Sequence, residues 1–173
     1  HYSDRRKCGN KIMSAINELR NIAQEENSAV GVTNLNQWVL RKVEAEGYEN
    51  LTMEEKVIIH VNALDWEISN HGINRLIFGS DIRFAEEMAE CLRRIGAQKT
   101  ATYFDELVSR IPNWPLPEDK DEREAYFKSL DDEDIQKLDI GIRKLSTANE
   151  DLFTGLCNYF DSIRERLAYR TSE

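Results

Sequence analysis

Thr52-Met53-Glu54-Glu55-Lys56-Val57-Ile58-Ile59-His60-Val61-Asn62-Ala63-Leu64-Asp65-Trp66-Glu67-Ile68-Ser69-Asn70-His71-Gly72 decides the fold. Its first four residues form a capping box: the Thr52 hydroxyl can accept from the backbone amide of Glu55, while the Glu55 carboxylate reaches back to the amide of Thr52. Val57, Val61, Leu64 and Ile68 then recur on one helical face, and Ile58, Ile59 and Trp66 point elsewhere. A helix apolar on more than one side is a buried one. Gly72 is expected to close it in a left-handed conformation.

Working outward, Ser80 or Asp81 is the expected cap of a helix whose stripe is Phe84, Met88, Cys91, Leu92 and Ile95 and whose stop is Gly96. Ala97, Ala101, Phe104, Leu107, Val108 and Ile111 keep helical period up to Pro112, which forbids continuation. All three prolines lie in Pro112-Asn113-Trp114-Pro115-Leu116-Pro117, which reads as an extended crossover pinned by Trp114 and Leu116. Shorter helices follow over 121–130 and 134–145, and a last one over 149–168 carries Leu152, Leu156, Tyr159 or Phe160, Ile163 and Leu167. On the other side, residues 4–24 form an amphipathic helix with Ile12, Ile16, Leu19 and Ala23 in the stripe, widened by Met13 and Ile22. After a polar break over 26–33, Asn34 is the expected cap of a second helix that Gly47 ends. With 173 residues, 40% of them hydrophobic and only 8 Gly and 3 Pro, the expectation is one all-α domain over 1–173, a bundle of seven or eight helices around a buried central helix, residues 1–49 supplying the N-terminal helices.

The composition narrows function by exclusion. No apolar run approaches the roughly 18 residues that span a bilayer, and His1 to Asn10 are polar and basic with no signal core behind them. Cys8, Cys91 and Cys157 are odd in number and widely spaced, which fits a reducing, cytoplasmic setting and no structural metal. The formal net charge is −9, and residues 118–139 alone carry 10 acids against 4 bases. Direct nucleic-acid binding is therefore disfavoured, since it needs clustered Lys and Arg and Arg5-Arg6-Lys7 is the single basic triplet. The acids Glu118, Asp119, Asp121, Glu122, Asp131, Asp132, Glu133 and Asp134 read either as a solvated face with helix N-terminal charge or as a docking surface for a basic protein. His60, Leu64, Glu67 and His71 share a helical face, but His60 and His71 stand about 16 Å apart along an unbroken helix, too far to share one ion. An enzyme with a pocket near His60, Glu67 and His71 is the competing class. There is no P-loop, no GxGxxG, no nucleophile elbow and no cofactor motif.

Asn70-His71-Gly72-Ile73-Asn74-Arg75-Leu76-Ile77-Phe78-Gly79-Ser80, followed by Leu92-Arg93-Arg94-Ile95-Gly96-Ala97, resembles the DNA-mimic-protein-like family of helical bacterial domains, over about residues 51–168. That family's turn usually reads Asn-Gly-Gly-Phe-x-Gln-Phe-Phe-x-Asn-Ser and its junction Leu-x-x-Ile-Gly-Ala. Here His71 replaces a Gly, Ile73 a Phe, Arg75 a Gln and Gly79 an Asn, and Leu76-Ile77 stands for an aromatic pair. Asn70, His71, Gly72 and Arg75 are thus read as a structural turn, with Ile73, Leu76, Ile77 and Phe78 plugging it into the core and Arg75 either a carboxylate partner or a surface charge. The resemblance implies an all-helical, often dimeric protein in a family whose DNA mimic captures a DNA-binding regulator. A non-catalytic acidic binding protein with a basic partner, a DNA-binding regulator or a nuclease, is the expectation; an immunity or antitoxin role is its variant, and a dimerising scaffold is the blandest alternative.

Overall fold

Val57 to Val61 are five consecutive buried residues, so the middle of the helix that the capping box opens is enclosed on every side. The computed structural model describes residues 2–70, 72–79 and 82–169, the side chains of 2–12 and 82 apart. Its order is α1 (Tyr2–Ala23), α2 (Ser28–Glu46), a 3₁₀ turn (Tyr48–Asn50), α3 (Met53–Asn70), a π-helical turn (Arg75–Gly79), α4 (Ile82–Arg94), α5 (Gln98–Val108), α6 (Lys120–Ser129), α7 (Asp132–Ser146) and α8 (Leu152–Tyr169). The protein is all-α, with eight α-helices and no strand among the described residues. The capping box forms as expected: the Thr52 amide donates to Glu55 Oε2 at 2.8 Å and the Glu55 amide to Thr52 Oγ1 at 3.3 Å.

Contacts gather the chain into two units, residues 1–58 with 156–173 and residues 59–155. In the first, α1 packs on α2. Leu19, Ile22 and Ala23 are buried, as are Val32, Leu35 and Val39, whereas Met13 of the expected stripe is exposed. The polar break expected over 26–33 is mostly helix. Asn27, not Asn34, caps α2, accepting from the amides of Ala29 and Val30 at 3.1 and 3.3 Å. Gly31 is a packing residue, because a Cβ there would come within 2.4 Å of the Phe160 ring of α8. Ser28 Oγ donates to the Asp161 carboxylate at 2.8 and 2.9 Å, and Arg164 donates to the Glu25 carbonyl at 3.1 Å, so the start of α2 is tied to α8 by polar contacts as well. Gly47, at φ 90°, ends α2.

In the second unit α4 packs on α5, α5 on α7, and the π-helical turn on both α4 and α6. Gly96, at φ 85°, ends α4, and the Ala97 amide reaches back to the Leu92 carbonyl at 3.0 Å, a Schellman closure that the Leu-Arg-Arg-Ile-Gly-Ala sequence encodes. Leu116 is buried, but the proline segment is a series of turns rather than extended. Tyr126 of α6 donates its hydroxyl to the Pro112 carbonyl, which folds the segment back. The helix expected from residue 149 begins at Leu152, with Asp151 accepting from the Thr154 amide at 2.9 Å; Phe160, rather than Tyr159, is its buried aromatic. Ser80 and Asp81, the expected caps of α4, lie outside the described residues.

Candidate functional site

The acidic stretch resolves into two successive helix starts. Asp119 caps α6 by accepting from the Glu122 amide at 3.0 Å, with Asp121 and Glu122 in the first turn. Asp131 caps α7 by accepting from the Asp134 amide at 2.9 Å, with Asp132, Glu133 and Asp134 following. Carboxylates in this position offset the unsatisfied amides and the positive end of the helix dipole. Glu118, Asp119, Asp121, Glu122, Asp131, Asp132 and Glu133 are exposed, and Asp134 is half-buried. Counter-charge is thin. Lys137 meets Glu133 at 3.0 Å and Asp134 at 3.1 Å, and these hydrogen bonds, that to Glu133 foremost, hold its ammonium above the ordinary lysine value. Lys120 lies 3.6 Å from Glu124. Arg123, one of the four bases of the stretch, is turned inward and buried, donating to the Pro117 carbonyl at 2.8 Å and to that of Glu118. Tyr126 is pushed above the ordinary phenol value by burial first and by the charge of Asp134 second, against a lowering hydrogen bond with Asn113.

The face carrying His60 and Glu67 is divided between different neighbours. His60 is fully buried, stacks on Phe84 with centroids 4.3 Å apart, and places Nε2 3.7 Å from Glu87 Oε2. Glu67 is buried and pairs through Oε1 with Arg75 Nη2 at 3.2 Å, which makes Arg75 a carboxylate partner. His71 lies outside the described residues. Among the described residues no group of three His, Cys, Asp or Glu side chains is placed to hold a metal ion.

The turn after α3 is tight: the end of the Glu67 side chain would have to shift to admit a Cβ, which would come within 1.9 Å of Oε2, at Gly72. The Gly72 amide donates to the Glu67 carbonyl at 3.0 Å, five residues back, and Asn70 Nδ2 donates to the Trp66 carbonyl at 2.7 Å. Ile73, Leu76, Ile77 and Phe78 are all buried, as the plug reading expects. Beside them Asn74, Arg75, Phe78, Gly79, Glu124, Phe127 and Lys128 line a cavity of about 230 Å³.

One structural carboxylate had no local signal. Glu150 accepts from the Thr100 amide at 2.6 Å, the Thr100 hydroxyl at 2.7 Å and the Lys99 amide at 3.3 Å, capping α5 from 50 residues away, where Ala97 offers no side-chain cap. Burial acts to raise its carboxyl, but these hydrogen bonds outweigh it and hold the group below the ordinary glutamate value. Nearby, Asp65 is pushed up by burial first and by the charge of Asp151 second.

A model of the family described as DMP19-like protein matches residues 49–166. The chain belongs to the DMP19-like protein family. The match takes in α3, the turn, the α4–α5 junction, both acidic helix starts and most of α8, and leaves α1 and α2 outside. No curated protein and no solved structure matches the chain significantly. Among the described residues, no helix is long and apolar enough to cross a membrane.

Proposed function

We propose that this chain is a non-enzymatic, cytoplasmic binding protein of the DNA-mimic type, whose acidic helix starts engage a basic surface of a nucleic-acid-binding protein. The observation that carries the reading is the outward display of carboxylates at the starts of α6 and α7, with the one intervening arginine, Arg123, withdrawn into the interior. The two groups of carboxylates stand at the starts of successive helices, of which α6 is ten residues, or about 15 Å, long. A DNA-binding regulator is the preferred partner; a basic nuclease, neutralised in an immunity-like role, would use the same surface. A homodimer, which sedimentation velocity tests, would double the number of acidic starts.

The decisive variant keeps the caps Asp119 and Asp131 and reverses Asp121, Glu122, Asp132 and Glu133 to Lys. Capture from a bacterial lysate at low salt is expected to yield a basic nucleic-acid-binding protein that releases as salt rises and is not retained by the reversed variant. Retention of the same proteins by the reversed variant overturns the proposal.

A further inference from the structure

We infer that Arg123 is a positioning residue for the acidic face: it clamps the chain entering α6 and so fixes the carboxylates of that helix start in one outward arrangement. The inference rests on the function proposed above and names what orders its charges. Three successive carbonyls are taken by this one residue. The guanidinium donates through Nη1 to the carbonyl of Pro117 at 2.8 Å and to that of Glu118, and the Arg123 amide donates to the carbonyl of Asp119 at 3.1 Å. Because each peptide unit is planar, holding these oxygens restrains the peptide planes on both sides of Glu118 and of Asp119. Pro117 adds to the restraint, since its ring sets φ.

A buried cation is costly unless its hydrogen bonds are made, and Arg123 is only 2% exposed. The helix itself does not call for it, because Asp119 already caps α6 through the Glu122 amide. What the long planar side chain adds is reach past the cap into the incoming segment. The rest of the inward side holds the helix in rotation. Tyr126 donates its hydroxyl to the Pro112 carbonyl, and the Phe127 ring lies 4.6 Å from that of Phe78. At about 100° per residue, Arg123, Tyr126 and Phe127 share one side of α6, and Asp121 falls opposite Arg123. Asp121 and Glu122 are accordingly exposed. Carboxylates ordered in advance lose little freedom when a basic surface meets them, which is how positioning raises affinity without adding a contact.

Three variants of the full chain test the assignment. Arg123→Met keeps an inward side chain without donors, Arg123→Lys keeps the charge without the planar fork, and Tyr126→Phe removes one hydroxyl. The first readout is the backbone NMR order parameter, which needs no partner. In Arg123→Met the values for Glu118 to Glu122 are expected to fall from about 0.85, the rigid value, toward about 0.6, with the rest of α6 unchanged. The second readout is the salt concentration at which the basic protein captured from a bacterial lysate by the parent elutes. Deleting a positive charge by itself strengthens attraction for that protein, so a purely structural or electrostatic role leaves elution where it was or moves it to higher salt. Positioning predicts the opposite. Arg123→Met should elute at lower salt with every acid retained, Arg123→Lys should lie between it and the parent, and Tyr126→Phe should shift slightly the same way. Should Arg123→Met fail to fold by circular dichroism, Arg123→Lys and Tyr126→Phe carry the test. Unchanged order parameters overturn the inference, and so does elution at equal or higher salt by a folded variant. If the parent captures nothing, the proposed function fails instead, and the order parameters alone then support or overturn the clamp.

Discussion

Glu55 at the start of α3 and Asp131 at the start of α7 do the same local work in opposite surroundings. Each is a carboxylate at a helix N-terminus that satisfies an orphan amide. Glu55 is 3% exposed and also holds Lys42 Nζ at 2.9 and 3.0 Å, so its charge is answered twice within the fold. Asp131 is exposed and is followed by three more acids, so its helix end receives more negative charge than capping requires. The difference separates acids that stabilise the protein from acids that remain available to something outside it. Substitutions that remove one carboxylate at a time can break or sharpen that distinction.

The largest effect is expected at Glu55. Glu55→Ala removes the box's reciprocal bond and leaves the Lys42 ammonium, half-buried, without that partner, and should cost about 3 kcal/mol in urea denaturation. Glu55→Gln retains a group able to accept from the Thr52 amide and should cost about 1–2 kcal/mol, isolating the charge contribution. Adding Lys42→Met to Glu55→Ala should recover part of the loss. A Glu55→Ala protein as stable as the parent would show that burial does not distinguish the two helix starts.

Glu150 stands between the extremes, half-buried and capping α5 at long range. Glu150→Ala should cost about 1–2 kcal/mol, since three hydrogen bonds are lost at a helix end with no substitute. Its pH dependence has a definite sign. Because the folded carboxyl lies below its ordinary value of 4.5, the unfolded chain takes up this proton first as pH falls. The contribution of Glu150 is therefore complete above that ordinary value and lost as pH falls through the folded one. Urea titrations from pH 7 downward should show a shallower acid loss in Glu150→Gln than in the parent; equal slopes would remove Glu150 from the group of structurally committed acids.

How far such distinctions were legible depended on how local their causes are. The Thr52/Glu55 box, the Gly47 and Gly96 stops and the apolar periodicity of α3 to α5 act within a few residues, and the sequence displays them directly. The polarity of residues 26–33 points to a break, whereas the packing of Gly31 on Phe160, a residue 129 positions away, holds that stretch in α2, and no local pattern announces it. Glu150 gave no signal at all, because a cap supplied from 50 residues away resembles any other loop acid. In the candidate site, the acids themselves are plain, but nothing in the pattern of charges reveals that Arg123 turns inward to the carbonyls of Pro117 and Glu118, which raises their outward excess. The cavity at Asn74 likewise depends on α6 meeting the turn, which apolar periodicity on either element does not reveal.

At the exposed starts the expected stability effects shrink. Asp131→Ala should cost about 1 kcal/mol, the usual value for an N-cap, and Asp131→Asn, which retains an acceptor, should cost a few tenths. Loss of stability in both alike would mean that the charge of Asp131, and not its capping bond, is what α7 uses.

The smallest effect is expected for Asp132→Asn combined with Glu133→Gln. Both side chains are exposed, and neither supplies the cap, which comes from Asp131. Removing Glu133 loosens one contact of Lys137, but Asp134 at 3.1 Å keeps another. Against this, two fewer like charges on an acidic surface relieve repulsion, so the net change should lie within about 0.5 kcal/mol of zero and diminish further as salt screens both contributions. A stability loss above about 1 kcal/mol would place these acids with Glu55, as parts of the fold. A neutral result at fixed helicity, together with a loss of salt-dependent partner capture, would place them on the other side of the comparison, as charge the fold carries without needing it.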